Sequence, residues 1–150
     1  MKLIGTYQRF NILHATEHNR HFYGDMGRFF CNKAIIKELE GPIYDDKEYQ
    51  WVLAKEGNTV IAFASWHSER YPIIAFGVIW VDPQCRRQGI AKELFRLRTQ
   101  LCITQGATVL RANANLTSRG MHEADAWTCT SQRGPRWAWF EKRIAQETTA

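Results

Sequence analysis

The chain lacks the cysteine patterns of several protein classes. Its four cysteines are scattered, and none has the two-residue spacing of a zinc knuckle or a redox motif; they are Cys31, Cys85, Cys102 and Cys129. Separate thiols in a chain of 150 residues are typical of a reducing compartment rather than of a disulfide-stabilised secreted fold. We therefore expect free cysteines in a cytoplasmic protein.

Long apolar segments and linkers are also missing. No run approaches the roughly 20 residues that span a membrane, and the apolar stretch within 1–6 is too short for a secretory signal. No repeat, low-complexity segment or Pro/Gly-rich linker divides the sequence, whose length is typical of one domain. These absences predict a single domain, 1–150, without membrane contact, and only its polar end at 146–150 is expected to fray.

Positive charge is in excess. The chain has 20 Lys and Arg residues against 15 Asp and Glu residues, a net charge of +5. This balance favours an anionic partner, and both a phosphate-bearing cofactor and nucleic acid satisfy it. Arginines interleaved with aromatic residues in 133–140 would suit single-stranded nucleic acid, so charge alone does not choose between these partners.

Hydrophobic periodicity predicts both strands and helices. The predicted strands are 2–7 or 10–13, 49–55, 59–66, 73–81, 108–112, 127–131 and 136–142. The predicted helices are 26–39, a segment from residue 90 to Gly106, and 116–125, with a polar loop at 67–72. This mixed order predicts an α+β fold rather than a doubly wound one.

The most informative segment joins the apolar strand at 73–81 to the amphipathic helix that follows it. The start of a helix has unpaired backbone N–H groups and a positive dipole end, which together bind anions. Gly89 permits close approach of a phosphate to the backbone, and Arg86, Arg87 and Lys92 add positive charge. The segment therefore predicts a phosphate-binding turn.

The same segment resembles the acyl-CoA signature of the GNAT acetyltransferase superfamily, Arg/Gln-x-x-Gly-x-Gly/Ala after a strand that ends in Val-x-Pro. Arg86, Gly89 and Ala91 fill the three defined positions, and Val81-Asp82-Pro83 precedes them. The resemblance covers roughly 50–142. It implies a single GNAT-like domain with a mixed, mostly antiparallel central sheet flanked by helices, in which 1–48 lies on the acceptor side and 73–112 is the acyl-CoA-binding core.

The resemblance also implies a function and a set of site residues. The implied activity is an acyl-CoA-dependent N-acetyltransferase, with acetyl-CoA as cosubstrate and an amine as acceptor. Backbone amides of the turn would bind the pyrophosphate, and the strand end would bind the pantetheine and thioester. The residues expected to bind the cofactor are Ile79, Trp80, Val81, Arg86, Arg87, Gln88, Gly89, Ile90, Ala91 and Lys92.

Further residues follow the fifth strand of the family pattern, where an Asn is followed by a small residue three positions on and a Tyr seven positions on. In this chain Asn115, Ser118 and His122 occupy those positions. Asn115 and Ser118 join the expected cofactor-binding set, although capping of a helix at Leu116 needs no special function and is the favoured interpretation for Asn115. His122 is expected to protonate the departing thiolate; an exposed helix residue without a role is the alternative.

A general base is harder to identify. Some family members carry a Glu early on the strand at 73–81, near Ala75 in this chain, which cannot accept a proton. His67 and Glu69, in the predicted loop before that strand, are the nearest titratable candidates. A solvated turn without a role and a water relay from a backbone carbonyl are the alternatives.

Two other polar groups in the first half have weaker patterns. His14 and His18 have the helical spacing of metal ligands, but no third ligand is evident, so a surface helix is favoured and no metal is expected. Asp45 and Asp46 could attract a cationic amine, and plain loop carboxylates are the favoured interpretation.

Two alternative functions stay open beside the N-acetyltransferase. The positive charge allows a nucleic-acid-modifying or DNA-binding GNAT-like protein. The missing Glu and Tyr allow a CoA-binding regulator without catalysis. Pairing through the last strands, which is common in the family, makes a homodimer a further expectation.

Overall fold

Strands dominate the part of the chain that the structure describes, which is residues 1–43, 45–46 and 48–145 of a computed structural model. The predicted fraying of 146–150 lies outside these residues. The strands are β1 (Lys2–Tyr7), β2 (Phe10–Thr16), β3 (Tyr49–Glu56), β4 (Thr59–Arg70), β5 (Ile73–Val81), β6 (Val109–Asn115), β7 (Thr128–Arg133) and β8 (Trp137–Arg143). The helices are α1 (Phe22–Phe30), α2 (Lys33–Leu39), α3 (Ile90–Thr104) and α4 (Arg119–Ala124). No described helix has the length and apolar character required to cross a membrane.

All of these strands belong to one sheet. Its order is β1-β2-β3-β4-β5-β6-β8-β7. Neighbouring strands are antiparallel except for β5 and β6, which are parallel because α3 connects them across the sheet. This arrangement confirms the predicted α+β fold with a mostly antiparallel sheet flanked by helices.

Alternating side chains bury both faces of the sheet. On β4, Ala64 and Trp66 lie in one apolar cluster with Leu94 of α3, whereas Phe63 lies in the other cluster with Phe29 of α1. We call the side covered by α1 and α2 the front face and the side covered by α3 the back face. Burial of each large apolar side chain contributes about 1.5–3 kcal/mol, so the two clusters fix the register of the central strands.

The parallel pair β5–β6 separates partway along its length. Its paired residues run only from Ile73 opposite Val109 to Phe76 opposite Ala112. Beyond that point the end of β5 stays paired with β4, and the end of β6 stays paired with β8. An opening therefore forms between β5 and β6, where backbone groups of β5 are not used by a neighbouring strand.

A bulge marks the place where the opening begins. Ala64 of β4 pairs with Ile79 of β5, and Trp66 of β4 pairs with Phe76 of β5. Ser65, the single β4 residue between Ala64 and Trp66, therefore faces two residues of β5. These two residues are Gly77 and Val78. Bulges bend a strand and increase its twist, so this one directs the end of β5 away from β6.

The predicted helix at 26–39 is wrong as a single element. The chain forms two helices there, because the side chain of Asn32 accepts a hydrogen bond of 3.1 Å from the backbone N–H of Ile35 and starts a new helix. The helix predicted at 116–125 is shorter than expected. The Asn115 side chain accepts from the N–H of Ser118 at 2.9 Å and holds a turn there, so α4 begins only at Arg119.

The predicted polar loop at 67–72 is also wrong in its first part. Strand β4 continues through His67 and Glu69 to Arg70, and it pairs there with the start of β5. The two predicted alternatives for a first strand, 2–7 and 10–13, both form strands, which pair with each other as β1 and β2.

Candidate functional site

The turn between β5 and α3 has the backbone shape expected of an anion site. Asp82 follows the strand, and its side chain accepts a hydrogen bond of 2.9 Å from the N–H of Gln84. Arg87 and Gly89 then adopt left-handed conformations, with φ of 63° and 82°, before α3 begins at Ile90. Left-handed residues next to a helix start turn successive N–H groups toward one side, which makes an anion-binding concavity.

Strand β1 holds this turn from outside. The hydroxyl of Tyr7 donates a hydrogen bond of 2.7 Å to the carbonyl of Gln88. A Cβ atom on Gly89 would lie 2.5 Å from the same hydroxyl oxygen. Glycine is therefore required at position 89 both by its positive φ and by the close approach of Tyr7.

Arg86 ties the turn to two other elements. Its Nε donates to the carbonyl of Val81 at 2.9 Å, and its guanidinium forms an ion pair with Glu38 of α2. The side chains of Arg87 and Lys92 are exposed beside the turn. The positive charge that is available to an anion therefore comes chiefly from Arg87 and Lys92 and from the N–H groups of the helix start.

A cavity of about 440 Å³, which we call the turn cavity, connects this turn to the opening in the sheet. It is lined by Glu38, Leu39, Ile79, Trp80, Val81, Cys85, Arg86, Arg87, Gly89, Ile90, Ala91, Lys92, Asn115, Thr117, Ser118 and Met121. All predicted cofactor-binding residues are among them except Gln88. The side chain of Gln88 instead accepts a hydrogen bond of 3.2 Å from Arg9 in the β1–β2 turn.

A second cavity, the front cavity, adjoins the turn cavity on the front face and has a volume of about 310 Å³. It is lined by Leu39, Gly41, Pro42, Tyr49, Ser65, Phe76, Gly77, Val78, Ile79, Asn113, Asn115, Ser118 and Trp137. Leu39, Ile79, Asn115 and Ser118 belong to both linings. The two cavities therefore meet at the opening between β5 and β6.

A third cavity, the helix cavity, lies between α3 and α4 and has a volume of about 570 Å³. It shares Gly89, Lys92 and Met121 with the turn cavity and extends from there to Tyr7 and Arg96. The turn at 86–92 therefore separates two spaces, one leading into the sheet and one leading along the back of the molecule.

His122 does not reach any of these three cavities. It is 3 % exposed and lies against Phe95, Trp127 and Phe140 in the back-face core. Its Nδ1 is 3.0 Å from the carbonyl oxygen of Ser118, and because a carbonyl only accepts, Nδ1 carries the proton. Burial lowers the pKa of His122 to about 4, so the ring is neutral at pH 7. The histidine at the position expected for a general acid is therefore packed in the core, and the alternative of an exposed helix residue is wrong.

His67 contacts a residue of the front cavity without lining that cavity, and Glu69 lines a different cavity together with Arg111 and Glu141. The imidazole of His67 stacks on Tyr49, which does line it, at a centroid distance of 4.6 Å. Burial is the largest influence on His67 and lowers its pKa, which Glu69 and Glu48 partly offset. Glu69 is 3.5 Å from Arg111, whose guanidinium also pairs with Glu141 at 3.2 Å. The neutral imidazole of His67 therefore lies behind Tyr49 at the front cavity, whereas the Glu69 carboxylate is ion-paired with Arg111.

The predicted metal-like pair does not form. His14 lies on β2, where its Nε2 is 2.8 Å from the side-chain oxygen of Gln50, and His18 follows the strand in an exposed turn. The expectation that both occupy a surface helix is wrong, because β2 pairs with β3 through Thr16. Among residues 1–43, 45–46 and 48–145, no group of three or more His, Cys, Asp or Glu side chains could hold a metal ion. Asp45 accepts hydrogen bonds from Tyr23 and Trp51 and so belongs to the loop structure.

Sequence reasoning missed several residues of the site. Glu38 and Leu39 enter the turn cavity from α2, and Tyr7 holds the turn from β1. The ion pair of Glu38 with Arg86 and the contact of Tyr7 with Gln88 join residues that are far apart in the sequence. A search for short sequence patterns therefore does not find these residues. Met121, beside His122 in sequence, is the α4 residue that lines both the turn cavity and the helix cavity.

Solved structures share this fold. Escherichia coli ElaA superposes with a TM-score of 0.70 at 11 % identity, over 89 % of this chain and 98 % of that one. An acetyltransferase of the GNAT family from Staphylococcus aureus Mu50 gives 0.67 at 12 % identity, over 91 % and 99 %. A GNAT family acetyltransferase from Elizabethkingia anophelis, solved with acetyl-CoA bound, gives 0.63 at 13 % identity, over 92 % and 100 %.

The amino-acid sequence adds a match of its own. No curated protein sequence matches the chain. The sequence model of the family described as "Acetyltransferase (GNAT) family" matches residues 14–126, which is well over half of the chain and includes the turn and the opening in the sheet. The chain therefore belongs to the GNAT family of acetyltransferases.

Proposed function

We propose that this protein is an N-acetyltransferase that transfers an acetyl group from acetyl-CoA directly to an amine. One observation carries the proposal. The turn cavity begins at the helix start and runs to the opening in the sheet, where it shares Leu39, Ile79, Asn115 and Ser118 with the front cavity. A cofactor in the turn cavity and an acceptor in the front cavity would meet at Ile79, which lines both, without a covalent enzyme intermediate.

The proposed placement of acetyl-CoA follows from the shape and charge of its two ends. The pyrophosphate would accept hydrogen bonds from backbone N–H groups of residues 87–92, next to Arg87 and Lys92. The pantetheine would extend along Ile79 to Val81, where β5 has backbone groups that no strand uses. The nucleotide would lie in the helix cavity, which begins at Lys92 on the far side of the turn.

The acceptor would occupy the front cavity. Its neutral amine nitrogen would attack the thioester carbon, form the C–N bond and place negative charge on the carbonyl oxygen. Backbone N–H groups near Ile79 are the proposed donors to that oxygen. Collapse of the intermediate breaks the C–S bond, the thiolate takes up a proton from solvent or from the ammonium group, and CoA leaves as the thiol.

Removal of the amine proton is proposed to involve His67. Its lowered pKa keeps the ring neutral and able to accept a proton at pH 7. Because the ring is stacked on Tyr49 rather than exposed in the front cavity, the proton would pass through water. His122 is not assigned the role of general acid, because its ring is enclosed by the back-face core.

The test is binding followed by turnover. Calorimetry with acetyl-CoA should show association for the wild-type protein and none for Gly89→Glu, which adds a side chain and a negative charge inside the turn. Gly57→Glu is the matched control, since Gly57 has a positive φ of 60° and open space around it in the β3–β4 turn. Labelled acetyl-CoA is then incubated with pooled amines, peptides and DNA. Wild-type protein that neither binds nor transfers contradicts the proposal.

The same experiment separates the alternatives. Binding of acetyl-CoA without transfer to any acceptor favours a CoA-binding regulator. Acetylation of DNA, or DNA binding that weakens steeply with salt, favours a nucleic-acid-modifying protein. A homodimer that pairs through the edge strand β7 remains a prediction, which light scattering of the purified protein can test.

A further inference from the structure

Arg98 is an arginine in an unusual place. It lies on α3 between Leu94 and Cys102, faces the back of the sheet and is 1 % exposed. Among the described residues no carboxylate forms an ion pair with it, and its Nε has no hydrogen-bond partner. A buried charge without an opposite charge destabilises a fold by several kcal/mol in principle. Such departures from good packing tend to occur at functional sites.

The contacts of Arg98 converge on the bulge that opens the sheet. Its Nη1 donates to the carbonyl of Ser65 at 3.1 Å and, more weakly, to the carbonyl of Val78 at 3.4 Å. Its guanidinium lies 3.9 Å from the ring centroid of Phe76, which is the last β5 residue that pairs with β6. One side chain thus contacts both strands of the bulge and the residue at which β5 and β6 separate.

We propose that Arg98 is a positioning residue that fixes the β5 bulge and thereby the direction of the backbone at residues 78–80. The thioester carbonyl of the cofactor is proposed to lie beside this part of the backbone when it reacts. This inference rests on the proposed function and deepens it. Gly77 and Val78 have no regular partner across the bulge, so the sheet ladder alone does not determine their orientation. A planar guanidinium that bonds carbonyls from both strands supplies that constraint.

The expected effect is on turnover rather than on cofactor affinity. The anion-binding turn is held separately, by Tyr7 through Gln88 and by Arg86 through Val81 and Glu38. Loss of Arg98 leaves those contacts in place. It alters the position of the reacting carbonyl, and a misplacement of about 1 Å can lower a rate about 100-fold.

The experiment compares Arg98→Met and Arg98→Lys with a matched control. Methionine fills the buried space without charge or donors, and lysine retains the charge and a donor. Arg28→Met is the control, because Arg28 also donates to a β4 carbonyl, that of Val60 at 2.7 Å, and lies over a phenylalanine, but at the far end of the strand. The measurements are kcat, KM for acetyl-CoA, and hydrogen exchange of the amides at 77–80.

For Arg98→Met we expect kcat to fall at least about tenfold, KM to change less than about threefold, and exchange at 77–80 to accelerate. Arg98→Lys should lie between this variant and the wild type, and Arg28→Met should match the wild type. Unchanged kcat and unchanged exchange in Arg98→Met would overturn the inference. So would a loss of activity that tracks a general loss of folding, measured by urea unfolding. If the wild type itself neither binds nor transfers acetyl-CoA, the proposed function fails and this inference fails with it.

Discussion

The hydroxyl of Tyr7 and the carbonyl of Gln88, 81 positions apart in the sequence, are joined by a hydrogen bond of 2.7 Å. It fixes the turn at 86–92, which is the proposed anion site, to the edge strand β1. Because Gly89 has no side chain, the tyrosine ring can approach the turn closely enough to make this bond. Strand β1 therefore contributes to the proposed cofactor site without lining the turn cavity.

Tyr7→Phe should weaken acetyl-CoA binding. The change removes only the hydroxyl, and one hydrogen bond contributes about 1 kcal/mol, so the dissociation constant should rise about fivefold. Calorimetry is the measurement. Tyr23→Phe is the control, because the Tyr23 hydroxyl also bonds a distant residue, Asp45, but lies away from the turn. Equal affinities of Tyr7→Phe and the wild type would show that the turn keeps its shape without this contact.

A methyl group on Gly77 should be tolerated only if Ser65 loses its hydroxyl. A Cβ atom at position 77 would overlap the Ser65 Oγ, whereas the next nearest atom, the Ser65 Cβ, is at an ordinary 3.5 Å. Gly77→Ala should therefore destabilise the protein by about 1–3 kcal/mol. In a Ser65→Ala background the same change should cost at least about 1 kcal/mol less. Urea unfolding of the four proteins measures this coupling, and additive effects would mean that the strand shifts to accommodate the methyl group.

His122 should make folding stability depend on pH. Its pKa is about 4 in the folded protein and 6.5 when exposed, because burial disfavours the charged ring; the nearby cation Arg98 lowers it further, and Ser118 and Asp125 oppose the shift. The unfolded chain binds the proton first, so this stabilisation is complete above pH 6.5 and is lost as pH falls to about 4. Its size is roughly 3 kcal/mol.

His122→Phe tests both the pH dependence and the proposed absence of an acid role. Phenylalanine fits among the neighbouring rings and cannot titrate, so the variant should lose less stability than the wild type between pH 6.5 and 4. It should also retain acetyl transfer, since the ring is outside the three cavities. Urea unfolding across this pH range and a transfer assay at pH 7.5 give the two answers. A loss of activity in a fully folded variant would restore His122 as the acid.

His67→Gln should slow transfer if His67 accepts the amine proton. General base catalysis contributes roughly 10²–10⁴-fold, so kcat/KM for the amine should fall by at least about 100-fold, with acetyl-CoA affinity unchanged. The lowered pKa of His67 also predicts that wild-type activity persists below pH 6.5. Glu69→Gln is the control, because the Glu69 carboxylate is already paired with Arg111. Equal rates for both variants would favour a water relay without an assigned base.

The part of the site that could be predicted from the sequence is the part that is local. Strand β5, the turn and the start of α3 follow one another between Ile73 and Thr104. Their residue types are determined by the local backbone conformation and do not depend on distant parts of the chain. Position 89 is a glycine because its backbone φ is positive. Strand β5 is apolar because both of its faces are covered. Such requirements are visible in a short stretch of sequence.

The missed parts depend on contacts between distant segments. The segment at 67–70 is polar because its side chains are half-buried or exposed, and a polar strand cannot be distinguished from a loop by composition. The family pattern predicts the position of His122 in the sequence, whereas the orientation of its ring is set by Phe95 and Phe140 on other elements. The contributions of Glu38 and Tyr7 depend on tertiary packing in the same way.

The insertion of β8 between β6 and β7 has a consequence for biosynthesis. A ribosome makes β7 first, yet the ladder partner of β7 is β8, and β6 pairs with β5 over only a short stretch until β8 arrives. Until β8 is synthesised, the nascent chain therefore presents two unpaired strand edges, at which intermolecular pairing is a hazard. Completion of the sheet must await synthesis of Trp137–Arg143, the strand that both β6 and β7 require as a partner.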